Sequence, residues 1–133
     1  SVGGGGDWSF DPSLFTISAQ PKAGVDPAAV EKAIYEELEK VKAEAVTDEE
    51  LEKAKNILLS GFYRNIKTIS GRSNAIGTYE VFFGDYKKLF TAADDFAKVT
   101  RADVQRVAKQ YFGERNRTVA TLVPDAAPAA EKK

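Results

Sequence analysis

The 133-residue chain has no cysteine, no histidine and no methionine. Without Cys there is no disulfide, no thiolate nucleophile and no redox motif, so composition says nothing about the redox compartment. Without His the commonest metal ligand and the commonest neutral-pH general base are both missing, which argues against a self-sufficient zinc hydrolase. Without Met, Ser1 is not read as a native start, and the chain is expected to be cut from something longer. No apolar run reaches the length of a membrane span or a signal peptide. An excess of one charge is missing too: 19 basic and 20 acidic residues are interspersed and give a net −1. Nucleic acid and membrane are therefore not expected as partners.

What is present fits one soluble domain. A 43% hydrophobic fraction in a chain this long can bury a core without disulfides or metal. The strongest signal is Val46 to Thr68. Thr47 can cap a helix start while Glu50 reaches back to the Thr47 amide, and Val46 and Leu51 can staple across the cap. Leu51, Ala54, Leu58, Phe62 and Ile66 recur at helical spacing, leaving Glu49, Glu52, Lys53 and Lys55 to face water.

Upstream, Ser1-Val2 and four glycines suit a strand that bends or lies close to another backbone. A phosphate cradle is the poorer reading, because no Lys-Ser/Thr and no helix follows. Asp11-Pro12-Ser13 signals a turn. Leu14 to Gln20 alternates, with Phe15, Ile17 and Ala19 on one face, which predicts an antiparallel pair. Asp26 with Pro27 starts a helix with the stripe Val30, Ile34, Leu38 and Val41, and the short link to Val46 predicts that it lies antiparallel to the long helix. A third helix is predicted to end at Gly84 as a left-handed cap; Gly77 inside it suggests close contact with a neighbour. Asp85 caps a fourth helix with Leu89, Phe90, Ala93 and Phe96. Val99-Thr100 with Asp103 repeats the entry signal for a fifth, carrying Val104, Val107, Ala108 and Tyr111. Asn116 to Val123 is β-branched and reads as a final strand, and residues 125–133 as a disordered tail. The order is α+β: a two-layer fold with a mostly antiparallel sheet and helices on one face.

Four segments, DPSLFTISAQPKAGVD, VTDEELEKAKNILLSGF, GTYEVFFGDYKKL and VTRADVQRVAKQYFGERNRTVATLVP, taken in order and spacing, resemble the second domain of the pitrilysin/insulinase family of zinc metallopeptidases, particularly its bacterial processing-peptidase-like branch. The match runs over residues 1–124, implying a C-terminal-type domain truncated at its N-terminus. In that family related α+β domains close around an extended peptide. The resemblance implies zinc in the preceding domain of the full protein, on an H-x-x-E-H helix that supplies two ligands and a base. It implies no cofactor, metal or catalytic residue in this chain. The family's substrate-gripping Arg and Tyr pair lies upstream of the strand matching Ser1-Val2, where this chain does not reach.

The best internal candidates for substrate contact are Arg72, Asn74, Tyr79 and Glu80 on the third helix. The plainer reading, favoured here, makes Tyr79 half core and the others solvated or capping groups. Trp8 and Phe10 could anchor a partner but suit a core or a domain contact better. Asp48, Glu49, Glu50 and Glu52 offset a helix dipole and need no calcium; Glu44, Asp94 and Asp95 read as surface charge. Two functions follow. One is a non-catalytic lobe forming a wall of the peptide chamber of an active zinc peptidase. The other is a domain of an inactive homologue acting as a structural or partner subunit. The expected partners are the preceding zinc-binding domain or a homologous subunit, and a peptide substrate. The chain alone should bind no zinc and cleave no peptide. A sheet edge or helix face left uncovered predicts self-association, by edge pairing or domain swapping.

Overall fold

The computed structural model describes residues 1–6 and 9–123. The tail expected over 125–133, and Trp8, lie outside them. Strands β1 (Val2–Gly6) and β2 (Phe15–Ala19) pair antiparallel with Val2 opposite Ala19, Gly4 opposite Ile17 and Gly6 opposite Phe15. Five helices follow: α1 (Pro27–Ala43), α2 (Asp48–Ile66), α3 (Ile69–Phe83), α4 (Ala92–Lys98) and α5 (Arg101–Tyr111). A 3-10 helix over Tyr86–Thr91 leads into α4, and a second over Glu114–Asn116 follows α5. The fold is α+β and helix-rich.

The helix starts form as their sequences dictate. The Asp26 carboxylate accepts from the Ala28 amide at 3.0 Å, and Pro27 opens α1. Thr47 and Glu50 close a complete capping box, with the Glu50 amide donating to the Thr47 hydroxyl at 3.2 Å and the Thr47 amide to the Glu50 carboxylate at 2.9 Å. Thr100 and Asp103 repeat it at the head of α5. Gly84 ends α3 at φ 68°, a left-handed position that a Cβ disfavours. Asp85 then caps the 3-10 helix through the Lys87 amide.

Five expectations are corrected. First, Asn116 to Val123 is not a strand: after Asn116, residues 117–123 run without regular structure and are exposed. Branched side chains make a strand only where a ladder accepts the backbone, and here the segment is held by a side chain instead, with the Arg117 guanidinium 3.8 Å over the Tyr35 ring. Second, the covered stripe of α2 is Leu51, Lys55, Leu59, Phe62 and Ile66, while Ala54 and Leu58 are exposed. The two stripes differ at two positions, each shifted by one residue, and α4 decides between them. Lys55 lays its stem along the helix and donates Nζ to the Ala97 carbonyl at 3.0 Å, so its side chain is 16% exposed. Third, α1 packs on α5 and not chiefly on α2, whose neighbours are α3 and α4. Gln105 on α5 donates to the Lys42 and Ala43 carbonyls at 3.1 Å each, and Lys42 to the Phe112 carbonyl at 3.1 Å. These bonds satisfy carbonyls that helix ends leave open. Fourth, the helix expected from Asp85 begins as the 3-10 turn, so Leu89 is buried while its neighbour Phe90 points out. Fifth, a Cβ on Gly77 would meet nothing within 4 Å; the close approach is at Gly71.

The hairpin touches both helix groups: Phe10 stacks on Phe82 of α3 at 5.0 Å between centroids and Phe15 on Phe112 at 5.3 Å. The core is nonetheless thin. Among the described residues the buried apolar side chains are Leu89, Ala92 and Ala108.

The two capping boxes set an acid limit. The Glu50 carboxyl is held below the usual carboxylate range by the Thr47 amide and then the Thr47 hydroxyl; Asp103 is lowered by the Thr100 hydroxyl, then the Thr100 amide and Arg106. A depressed folded pKa stabilises above the unfolded value and the contribution is lost as pH falls through the folded one. The urea midpoint should therefore drop between about pH 5 and pH 3, with part of that drop absent from the Glu50→Ala/Asp103→Ala double variant. A double variant that loses stability over this window as steeply as the parent would contradict the assignment.

Candidate functional site

All four candidate contact residues lie on α3, but the helix does not gather them. At about 100° per residue, Arg72 and Tyr79 share a face two turns apart, Glu80 lies to one side, and Asn74 points nearly opposite. The Arg72 side chain is exposed and makes no ion pair among the described residues. Asn74 accepts from the Thr78 hydroxyl at 3.4 Å, a link within the helix. The Tyr79 ring is half-buried, 5.0 Å from the Phe83 ring. Burial first, and then the Asp95 carboxylate of α4, raise its phenol above the ordinary value, so it stays protonated and acts as packing. Glu80 accepts from the Tyr86 amide at 3.0 Å. That bond fixes the start of the 3-10 turn, a structural task that sequence spacing did not reveal because it spans the Gly84 cap.

A cleft of about 610 Å³ that the sequence did not point to opens between the first half of α2 and the α4–α5 junction. Its charged groups are already committed. Arg101 bridges to Asp48 at 3.0 Å, joining the heads of α5 and α2, and Lys55 is tied to Ala97 and Glu52. Helical spacing turns Lys55 to water, so the sequence carries no signal for this cleft. The donor set of this chain does not fit a zinc ion: it has no His and no Cys. Among the described residues no group of three carboxylates converges either. Asp48, Glu50 and Glu52 each have a partner, in Arg101, Thr47 and Lys55.

The more telling feature is apolar surface facing outward. Leu14, Ile69, Phe10 and Phe90 are 84%, 79%, 77% and 73% exposed, on the hairpin loop, the start of α3 and the 3-10 turn. Side chains of this size left open over several elements mark contact surfaces.

This helix-rich α+β lobe is similar to domains of known zinc proteases. Residues 1–58 match the sequence profile described as the Peptidase M16 inactive domain. The zinc protease PqqE of Helicobacter pylori is 30% identical over 114 residues, 86% of this chain; the chain spans 26% of that relative's length. A crystal structure described as the inactive peptidase domain of a candidate zinc protease from Bordetella parapertussis superposes with a TM-score of 0.72 at 27% identity, covering 96% of this chain and 70% of that one. A candidate zinc protease from Bordetella pertussis gives 0.75 at 26% identity, covering 92% and 67%. Over residues 1–58 the chain resembles the peptidase M16 inactive domain.

Proposed function

We propose that this chain is the non-catalytic lobe of a zinc-dependent peptidase and forms one wall of its peptide-binding chamber. The observation that carries the proposal is the inactive-type fold with its apolar side chains turned outward. Such a surface suits a second domain and a peptide held between the two. The zinc and its ligands belong to that second, preceding domain, and the peptide is the substrate. On this side of the chamber Arg72 offers a guanidinium on an exposed helix face that makes no ion pair among the described residues, suited to a peptide carboxylate or carbonyl.

The test mixes the 133-residue chain with a zinc-bearing M16 domain of the same protein and follows cleavage of a fluorogenic peptide. Activity is expected in the mixture and in neither part. Arg72→Ala should then raise KM about three- to tenfold with kcat unchanged, the mark of lost ground-state binding. Glu80→Gln, which keeps the acceptor for Tyr86, should fold normally. A mixture that forms a complex but cleaves nothing would replace the reading with that of a structural subunit in an inactive assembly.

A further inference from the structure

We infer that α2 carries a self-complementary face through which two copies of this chain pair, antiparallel, about a two-fold axis at Ile57. The covered stripe of α2 leaves a second apolar strip beside it. Ile57 and Leu58 are 60% and 55% exposed in the middle of the helix. A Cβ on Gly61 would meet no atom of another element within 4 Å. An open groove of about 680 Å³ runs along the Ile57 side, from Glu49, Glu52 and Lys53 past Asn56, Ile57 and Ser60 to Arg64.

The occupant is read from the charge order. The groove opens on Glu49 and Glu52 at the N-terminal end of α2, where Lys53 offsets one of the two charges, and ends on Arg64, with Ile57 in the middle. Ile57 is also the midpoint of Asp48–Ile66. An identical helix laid antiparallel about that midpoint sets Ile57 against Ile57 of the second copy. It brings Arg64 beside the Glu49–Glu50 turn, and the same contact recurs on the other side of the axis, as an isologous interface requires. The opposed helix dipoles add to the attraction. A parallel copy would set acid against acid, so the pattern selects one orientation. Ala54, Ser60 and Gly61 let the helix axes approach to about 8 Å. This interface is separate from the peptide-chamber reading and from any pairing of strand edges.

Sedimentation equilibrium of the 133-residue chain, from about 1 to 300 µM, should show mass rising from 14.5 kDa toward twice that value, a range typical of a modest interface. Ile57→Asp and Arg64→Glu should each raise the dissociation constant at least about tenfold, and the charge-swapped Glu49→Arg/Arg64→Glu variant should recover to within about threefold of the parent. These positions are exposed, so helicity by circular dichroism should be unchanged; if Ile57→Asp loses helicity, the charge swap decides alone. A monomer over the whole range overturns the inference. So does a dimer indifferent to Arg64→Glu, or one not recovered by the swap, as strand-edge pairing would give.

Discussion

Gly71→Ala should destabilise this chain by about 2–3 kcal/mol, at the upper end of overpacking costs, although alanine is the better helix former. Gly71 is the third residue of α3 and is buried. Its amide donates to the Thr68 hydroxyl at 3.0 Å. A Cβ there would stand 2.7 Å from the Thr68 Oγ1 and well inside contact distance of the Asn65 carbonyl. That carbonyl cannot give way cheaply, because it accepts from the Thr68 amide at 3.4 Å and the Thr68 hydroxyl at 3.3 Å. The whole α2–α3 elbow must open, and the Thr68 cap opens with it. Gly77→Ala, six residues on in the same helix, meets open space and should stabilise by up to about 1 kcal/mol. Urea midpoints of the two variants should move in opposite directions. If both rise, the elbow is more compliant than its geometry indicates and Gly71 is no hinge point.

The pair also marks where sequence and structure part. Propensity identified a glycine inside a helix as meaningful and chose Gly77, because Gly77 sits mid-helix. Gly71 sits in the first turn, where a glycine attracts no notice, and only the position of the Asn65 carbonyl gives it a role. The caps at Thr47, Thr100 and Asp26 were legible because both partners lie within three residues. The hairpin was legible because alternation and a turn signal are local as well. The phase of the α2 stripe was not, since Leu51, Phe62 and Ile66 suit either choice and the tie is broken by the Ala97 carbonyl, 42 residues away in sequence. Residues 117–123 show the same limit. Their composition states a preference for strand, but pairing depends on an edge being offered, and Tyr35 holds Arg117 instead. At the candidate site the residue types were visible and their tasks were not: Glu80 was spent on the Tyr86 amide and Tyr79 was half-buried against Phe83, leaving Arg72 without an ion pair among the described residues.

Leu89→Ala should lower stability by about 2–5 kcal/mol, the usual cost of emptying a buried leucine site. That is a large share of the about 5–15 kcal/mol that holds a typical domain together. The share is larger here because Leu89 at 6% exposed stands with only Ala92 and Ala108 as buried apolar side chains among the described residues, and both of those are small. Leu89 lies on the 3-10 turn that packs on α3 and α4, so its removal loosens both helices at once. At a slope of about 1–3 kcal/mol per molar the urea midpoint should fall by about 1–2 M. Phe90→Ala next door is the contrast. Its ring is 73% exposed, so truncation should change the stability of the isolated chain by less than about 0.5 kcal/mol. If that ring faces the second domain, Phe90→Ala should instead weaken association with it, while Leu89→Ala acts on folding and impairs association only by lowering the folded fraction. Measuring both variants alone and in the mixture separates a core residue from a docking residue at adjacent positions. A Phe90→Ala chain that is destabilised alone, or that binds the second domain as the parent does, would move the contact surface off the 3-10 turn.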